Sequence, residues 1–594
     1  MKSRTSCFDR ALFSAALRQG RPLWIVYLIA LCFCLPVRFV DVSSPEWVRL
    51  AADGGLIDSG WEVLVIVIAV ASVFSVLLVF GHMYSKRQTS LICSLPVRRG
   101  TAYASCFAAG LVPMLAAELL VVLVCAAIEA HNGVLNIPVL LLLTAFLVLL
   151  TLAFYGFAAC CAMLTGSAVV LPLVYLVLEV TAAAAAYMIS GILTALLFGY
   201  CPGGIPAALS PLAWLASRAP TYGPTYDGLE FTVLRGNVAG MAIYAVIGLG
   251  FALLGLLLYK RRAMETVGEV VAIPVLRPIF RWCMALGCGL VFAWALCIVR
   301  GGGCFCGTVG NTVLAAVLAA VGSFVGWFGA EMLMRKSTRV FRSRRAGACA
   351  AACILVLGVL CVGTGAFGYE TRVPAPEEVG TVSISCDATG FYAHDEDSVR
   401  LAEAAQRALI GGREEYARAG VGPVLTSSTY VRFNYVLDSG KLVSREYMLY
   451  DPADFPAMED DIAALEAVLN TDEAFEARKL RTPLPAGTEL SCAVYTNGPQ
   501  TSYEFVSVRL EEAEALSLYA AIDKDLDARD IGQIRIFRDM AERDTVVHIV
   551  FDLYERVNDP EGKGIYSGVQ TIFFDVPDTA RNTLSWLREN CGIG

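Results

Sequence analysis

Nine stretches of this chain are apolar over about the 20 residues that a helix needs to cross a bilayer, at 22–40, 61–83, 102–128, 137–163, 168–190, 237–259, 280–299, 312–333 and 346–367. No other feature narrows the possible folds as much, because only helices and closed barrels satisfy their backbone inside lipid. The composition agrees: 57% of residues are hydrophobic and 17% charged, where a soluble chain carries about a quarter charged. A cytosolic enzyme, a disordered tail and a nucleic-acid binder are all excluded. The expected fold is a polytopic α-helical membrane bundle of about nine transmembrane helices followed by an α+β soluble domain.

Charge divides the chain into two objects. Residues before Glu370 carry 25 Lys and Arg against 14 Asp and Glu, and those from Glu370 onward carry 21 against 40. The first object is basic and apolar. The second is acidic, polar and long enough to bury a core of its own. Its acidic surplus could steer a cationic ligand, or keep a domain soluble and off an anionic membrane; the second reading is preferred.

Basic residues in short loops set the expected orientation. Lys2, Arg4, Arg10, Arg18 and Arg21 precede the first run, Lys86, Arg87, Arg98 and Arg99 follow the second, Lys260, Arg261, Arg262, Arg277 and Arg281 follow the sixth, and Arg335 to Arg345 follow the eighth. The alternate loops are poor in such residues. The reading is a multi-pass protein of the cell membrane with a cytoplasmic N-terminus and its C-terminal domain outside. Residues 1–21 form an interfacial helix on the cytoplasmic leaflet, 22–367 the membrane part, 368–380 a linker and 381–594 the extracytoplasmic domain. The stretch 168–200 is too long for one crossing and is expected to end in an interfacial or re-entrant piece, stopped by the Pro/Gly-rich 201–206.

Besides Glu62 at the very start of the second run, three carboxylates fall within apolar runs: Glu118, Glu179 and Glu331. A charge at mid-bilayer costs about 3 kcal/mol on insertion scales, so such groups face protein or water. Glu118 and Glu179 are candidates for a polar wall of a transport pathway, or for an interhelical hydrogen bond. Glu331 is expected to pair with Arg335, one turn on. Gly322 and Gly326 form a G-x-x-x-G spacing that permits close helix approach, inside one bundle or across a dimer face.

Signatures of chemistry are missing. No phosphate-cradling G-x-x-x-x-G-K-[ST], H-E-x-x-H or G-x-S-x-G is present. The run Asp523-x-Asp525-x-Asp527 resembles the start of a calcium loop, but Ala528 and Ile534 stand where the turn Gly and the bidentate Glu belong. A solvated helix face is the default there. Of 20 Cys, 17 precede Glu370, mostly in apolar runs, where they act as small hydrophobes. Cys304 and Cys306 lack the further ligands a zinc site needs. No catalytic role, metal or cofactor is expected of this chain.

Several short segments lie in a telling order. Ser94-Leu95-Pro96-Val97-Arg98 follows the second run. Tyr259-Lys260-Arg261-Arg262-Ala263-Met264-Glu265-Thr266-Val267-Gly268 follows the sixth, and Gly368-Tyr369-Glu370-Thr371-Arg372-Val373-Pro374 follows the last. Together they resemble the ABC-2-type permease subunits of Gram-positive bacteria, in the branch with a C-terminal extracytoplasmic domain. Lys260 and Val267 depart mildly from that family's pattern. The resemblance implies an ATP-driven exporter in which a separate ABC ATPase subunit consumes the ATP and a second permease subunit, identical or different, completes the pathway. It implies ATPase docking on Lys86, Arg87, Pro96, Arg98 and Arg99, and on a second loop carrying Arg261, Arg262, Glu265 and Gly268. Basic loops also anchor to anionic lipid without any partner. The alternative is a membrane sensor or receptor whose extracytoplasmic domain binds a ligand, although one or two spans would suffice to anchor it.

Beyond residue 375 the pattern alternates. Helices are expected at Ser398–Leu409, Ile462–Leu469, Glu511–Ile522 and Thr579–Glu589, with hairpins formed by Thr429–Leu437 with Leu442–Leu449 and by Thr545–Tyr554 with Ile565–Phe574.

Overall fold

The computed structural model describes residues 8–39, 60–203, 210–217, 222–224, 231–233, 235–262, 266–301, 305–340, 345–386, 389–420, 428–480, 488–496, 506–537, 547–557 and 565–591. Among them, eight helices are long and apolar enough to cross a membrane. In chain order the helices of this half are α1 (Arg10–Gln19), α2 (Arg21–Cys34), α3 (Trp61–Val79), α4 (Lys86–Ser94), α5 (Arg99–His131), α6 (Ile137–Leu164), α7 (Val170–Leu196), α8 (Pro211–Ala216), α9 (Arg235–Arg261), α10 (Leu276–Gly301), α11 (Val309–Arg335) and α12 (Arg345–Gly363). A two-stranded hairpin, β1 (Tyr222–Pro224) and β2 (Phe231–Val233), precedes α9.

Two expectations change. The apolar run 22–40 does not form a ninth long helix: α2 has 14 residues and gives way to a 3-10 turn at Pro36–Phe39. At 1.5 Å per residue the helix alone reaches about 21 Å, short of the roughly 30 Å hydrocarbon core, which the segment approaches only with the four residues of the turn added. Leu35 breaks it with Pro36 following, and proline disfavours helix in the residue before it. Secondly, α7 runs unbroken to Leu196, and the piece that folds back against the bundle is α8, further along the chain. Trp61 donates its indole N–H to Leu215 O at 2.6 Å, and Ser210 Oγ accepts from Ala183 N–H at 2.7 Å. The chain therefore folds back along α7, well short of that helix's end.

Among the described residues the bundle has two main apolar cores, besides a small cluster of Ala285, Trp327, Ala348 and Ala351 between α10, α11 and α12. The larger joins α1, α2, α3, α5, α6, α8, α9 and the start of α7 through Trp61, Phe146, Phe154 and Tyr155. The smaller joins the end of α7 to α10, α11 and α12 through Ile192, Ala195, Ala293 and Ala319. Helix α7 belongs to both. Close approach is made by glycine: a Cβ on Gly156 would strike the Gly248 backbone, and one on Gly322 or Gly326 would strike the α10 backbone at Cys288 or Met284. The G-x-x-x-G spacing thus serves packing inside this chain. Glu331 pairs with Arg335 at 2.7 Å, as its spacing predicts, and also lies 3.6 Å from Arg281 of α10.

The C-terminal half contains a duplication that the sequence does not advertise. The first unit comprises β3 (Val379–Cys386), β4 (Thr389–Ala393), α13 (Glu396–Gly411), α14 (Arg413–Ala419), β5 (Ser428–Leu437), β6 (Leu442–Tyr450) and α15 (Glu459–Leu469). After the short α16 (Asp472–Arg478), the second comprises β7 (Thr488–Thr496), β8 (Val506–Leu510), α17 (Glu512–Asp527), β9 (Val547–Val557), β10 (Ile565–Val576) and α18 (Arg581–Cys591). Apart from the extra α14 in the first, the described elements of each run strand–strand–helix–strand–strand–helix with a four-stranded antiparallel sheet, ordered β4-β3-β5-β6 and β8-β7-β9-β10. In both sheets the unit's second strand lies outside its first, then come its third and fourth. The units have separate cores, one around Phe433, Tyr435 and Leu465, the other around Phe551, Ile522 and Leu587. Asn470 clasps them by exchanging hydrogen bonds with the Ile534 backbone at 2.8 and 3.0 Å.

Candidate functional site

At the end of the bundle where the basic loops gather, four inter-helix segments meet. A 3-10 turn at Gly81–Tyr84 closes α3, and the nine-residue α4 leaves it. The buried Thr89 hydroxyl ties α4 to that turn through His82 O at 2.6 Å. Otherwise α4 stands away from the bundle. Its Leu91 is 65% exposed, and Leu95, at its C-cap, is 40% exposed. Lys86, Arg87 and Arg98 are exposed beside them and form no ion pair among the described residues. Pro96 ends the helix by holding Leu95 extended (φ −73°, ψ 143°).

Arg99 and Arg262 do something different. Arg99 Nη1 donates to Lys260 O at 3.1 Å and Arg262 O at 3.0 Å, carbonyls at the end of α9. Arg262 is buried and donates from Nη1 to Ala162 O and Met163 O, at the end of α6. Terminal carbonyls of a helix lack backbone partners and carry partial negative charge. Two guanidinium groups therefore staple α5, α9 and α6 together. Gly268 adopts φ +89°, a left-handed turn, and donates to Gly166 O at 2.7 Å, while Gly166 N–H donates to Glu269 O at 2.9 Å. Arg261 is exposed; Glu265 lies outside the described residues. Of the expected docking residues, Lys86, Arg87, Pro96, Arg98 and Arg261 are free at the surface, whereas Arg99, Arg262 and Gly268 hold the site's frame.

Glu118 and Glu179 are both 1% exposed, on α5 and α7. Glu118 Oε1 accepts from the Tyr27 hydroxyl of α2 at 2.7 Å and from the Thr151 hydroxyl of α6. Glu179 Oε2 accepts from Leu212 N–H of α8 at 3.3 Å. In each the other oxygen, Glu118 Oε2 and Glu179 Oε1, is buried with no hydrogen-bond partner. The two acids have different partners and do not meet in one cluster. Tyr27, Thr151 and the α8 backbone were not singled out from the sequence; the available signal was a hydroxyl residue inside an apolar run.

At the opposite end the C-terminal domain is held directly. Phe198, two residues beyond α7, is 2% exposed and packs with Phe305, Tyr416 and Tyr447 at ring-centroid distances of 4.8, 5.6 and 5.0 Å. Phe198 and Phe305 belong to the core of the domain's first unit. The Phe198 N–H donates to Glu370 Oε1 at 2.8 Å, and Glu370 pairs with Arg413 of α14. Burial holds the Glu370 carboxyl above its usual range, against the pull of those two partners. Arg445 lies 3.8 Å over the Tyr369 ring and forms an antiparallel bridge with Tyr200. The expected linker 368–380 is thus largely fixed structure, and β3 already begins at Val379.

The calcium-loop resemblance dissolves here. Asp525 is fully buried and accepts from Asn582 N–H at 3.2 Å and from Thr583 N–H and Oγ at 2.7 Å each, capping α18. Asp527 pairs with Lys479 at 3.1 Å. Cys306 is buried, and Cys304 lies outside the described residues. Among the described residues no cluster suits a metal ion.

No family model, curated protein or solved structure matches this chain.

Proposed function

We propose that this chain is the membrane subunit of an ATP-driven exporter of the ABC-2 type, working with a separate ATPase and a second permease subunit. The observation that carries the reading is α4. It is a short helix between two crossings, anchored at one point, with apolar Leu91 and Leu95 flanked by Lys86, Arg87 and Arg98. A surface of that composition costs free energy in water and suits a groove with acidic rims. At its far end Pro96 and the Arg99 staple join it to α5 and α9, so a push on α4 reaches two long helices. Glu118 and Glu179 supply buried polar points along the bundle.

The sidedness we adopt puts α4 and the other basic loops in the cytoplasm and the duplicated domain outside. Counting α2 and its 3-10 turn as a ninth crossing keeps the N-terminus cytoplasmic; Tyr27 then lies at the depth of Glu118. The test is co-purification. Tagged protein in mild detergent is expected to bring down an ABC ATPase, and Lys86→Glu with Arg87→Glu to lose it while the protein stays monodisperse. Recovery of no ATPase with the unaltered chain would overturn the proposal.

A further inference from the structure

The bundle divides into two bodies that share one helix. Among the described residues α10, α11 and α12 pack on one another and, of the other helices, chiefly on α7. Their core takes Ile192, Ala195 and Leu196 from the outer part of α7, whereas the larger core takes Leu171 and Tyr175 from its inner part. Polar contacts follow the same division. Glu179 and the Ala183 N–H hold the inner part to α8, through Leu212 and Ser210. In the outer part, Ala195 O accepts from Cys306 N–H at 2.8 Å, in the segment between α10 and α11, and Asn311 of α11 donates to Cys306 O at 2.9 Å. From Val180 to Gly191 no residue of α7 is buried.

That middle stretch ends in a weak point. Ser190 and Gly191 are adjacent, and Gly/Ser pairs are among the few causes of a sharp helix bend. Thr194 donates its hydroxyl to Ser190 O at 3.0 Å, a back-bond that also bends helices. Gly191 lies under the Trp294 ring of α10, where a Cβ would come within 2.9 Å. The ring therefore rests on bare backbone, with no side chain to climb over if α10 shifts along α7.

The C-terminal domain is fastened to the smaller body. Phe198 follows the outer end of α7, Phe305 lies between α10 and α11, and Tyr369 and Glu370 follow α12; these are the residues its first unit grips. Arg445 adds hydrogen bonds to Tyr369 O at 3.2 Å and Arg372 O at 3.5 Å. A Cβ on Gly420 would strike Phe305 O, so backbone meets backbone there. At the basic end the two bodies stay joined. Gly268 and Ala272, in the segment leading to α10, donate to Gly166 O and Leu164 O at 2.7 and 2.8 Å. The outer ends are therefore the ones free to part.

We infer that α7 is a hinge. The smaller body, made of α10, α11, α12, the last turn of α7 and the first unit of the domain, swings against the rest of the bundle about Ser190 and Gly191. Closely packed bodies move whole, and a few hinge residues absorb the change. The proposed function supplies a driver: α4 and the end of α9 both belong to the larger body, so an ATPase pushes that body while the domain stays with the other. The driver rests on the exporter reading; the hinge does not.

The full chain in lipid nanodiscs is spin-labelled in pairs through a keto amino acid, which leaves its cysteines unlabelled. The labelled positions are exposed: Leu135 between α5 and α6 on the larger body, Val309 at the start of α11 on the smaller, and Leu401 on α13 in the first unit. Double electron–electron resonance is expected to give a narrow distance distribution for Val309 with Leu401, and broad or two-peaked distributions for Leu135 with either. Ser190→Ala with Gly191→Ala stiffens the bend with the best helix former, in a Trp294→Leu background that makes room for the new Cβ. It is expected to abolish the second component, and Trp294→Leu alone to keep it. In the unaltered chain, a Leu135–Leu401 distribution as narrow as that of Val309–Leu401 overturns the hinge, and a Val309–Leu401 distribution as broad as that of Leu135–Leu401 overturns the joint body. A second component that survives the paired Ala substitutions overturns the pivot at Ser190 and Gly191. Failure to recover an ATPase in co-purification would instead overturn the exporter and leave these distances standing.

Discussion

Replacing Phe198 by Ala should loosen one unit of the C-terminal domain and spare the other. The side chain is 2% exposed and meets three aromatic rings within 5.6 Å, two of them from the domain itself. Truncating a buried Phe costs about 3–5 kcal/mol. The low end of that range corresponds to about a 150-fold rise in the open population. Phe198 N–H keeps its bond to Glu370, so the loss is one of packing. Hydrogen exchange on the full chain in detergent reads the effect locally. Amides of β6 and α14 should exchange about two orders of magnitude faster in the variant, while those at Ile549 and Phe551, in the second unit's core, stay as they were. Unchanged protection in β6 would mean that the bundle does not complete this core. Equal loss in both units would mean that they are one cooperative body. Either result refutes the reasoning.

Four other outcomes follow. Asp525→Ala should strip α18 of its cap and leave Thr583 donors buried, a loss of about 2–3 kcal/mol, visible as faster exchange across 581–591. Burial raises the carboxyls of Glu370, Glu403, Asp461 and Glu466 above their usual values. The folded domain therefore holds protons more tightly than the unfolded chain, and its stability should rise as pH falls from 7 toward the carboxylate range; thermal unfolding at two pH values checks the sign, and Glu370→Gln should flatten part of the slope. Arg262→Ala should lower thermal stability in detergent, by about 1–3 kcal/mol for its charged hydrogen bonds, whereas Lys86→Ala should leave stability within about 0.5 kcal/mol. Glu118→Gln should keep the Tyr27 contact and the fold; export that survives it together with Glu179→Gln would remove both acids from the pathway.

The long helices were legible because lipid solubility writes itself into residue type over about 20 positions at a time. The 22–40 run misleads for the same reason: its composition suits a span, but Leu35-Pro36 stops the helix, and composition does not record that. In the C-terminal half the second hairpin of each unit was legible, while the first was not. Strand β3 does alternate Val382, Ile384 and Cys386 with Ser and Thr, a strand signal that was passed over, and β4 is only five residues with Gly390 near its start. Missing those hairpins hid the duplication. At the site, charge alone did not distinguish the free Lys86, Arg87 and Arg98 from the staples Arg99 and Arg262. That difference lies in which helix ends come close, a tertiary fact. Asp525 misled likewise, because its partners are about 57 residues away in sequence.

The first unit of the domain borrows Phe198 and Phe305 from two different inter-helix segments, whereas the second's core takes no bundle residue among those described. This arrangement ties the closing of the first unit's core to how the bundle is threaded. A bundle threaded with one crossing too few or too many after Phe305 would put the domain on the other side of the bundle from those two rings and leave its first unit with an open apolar gap.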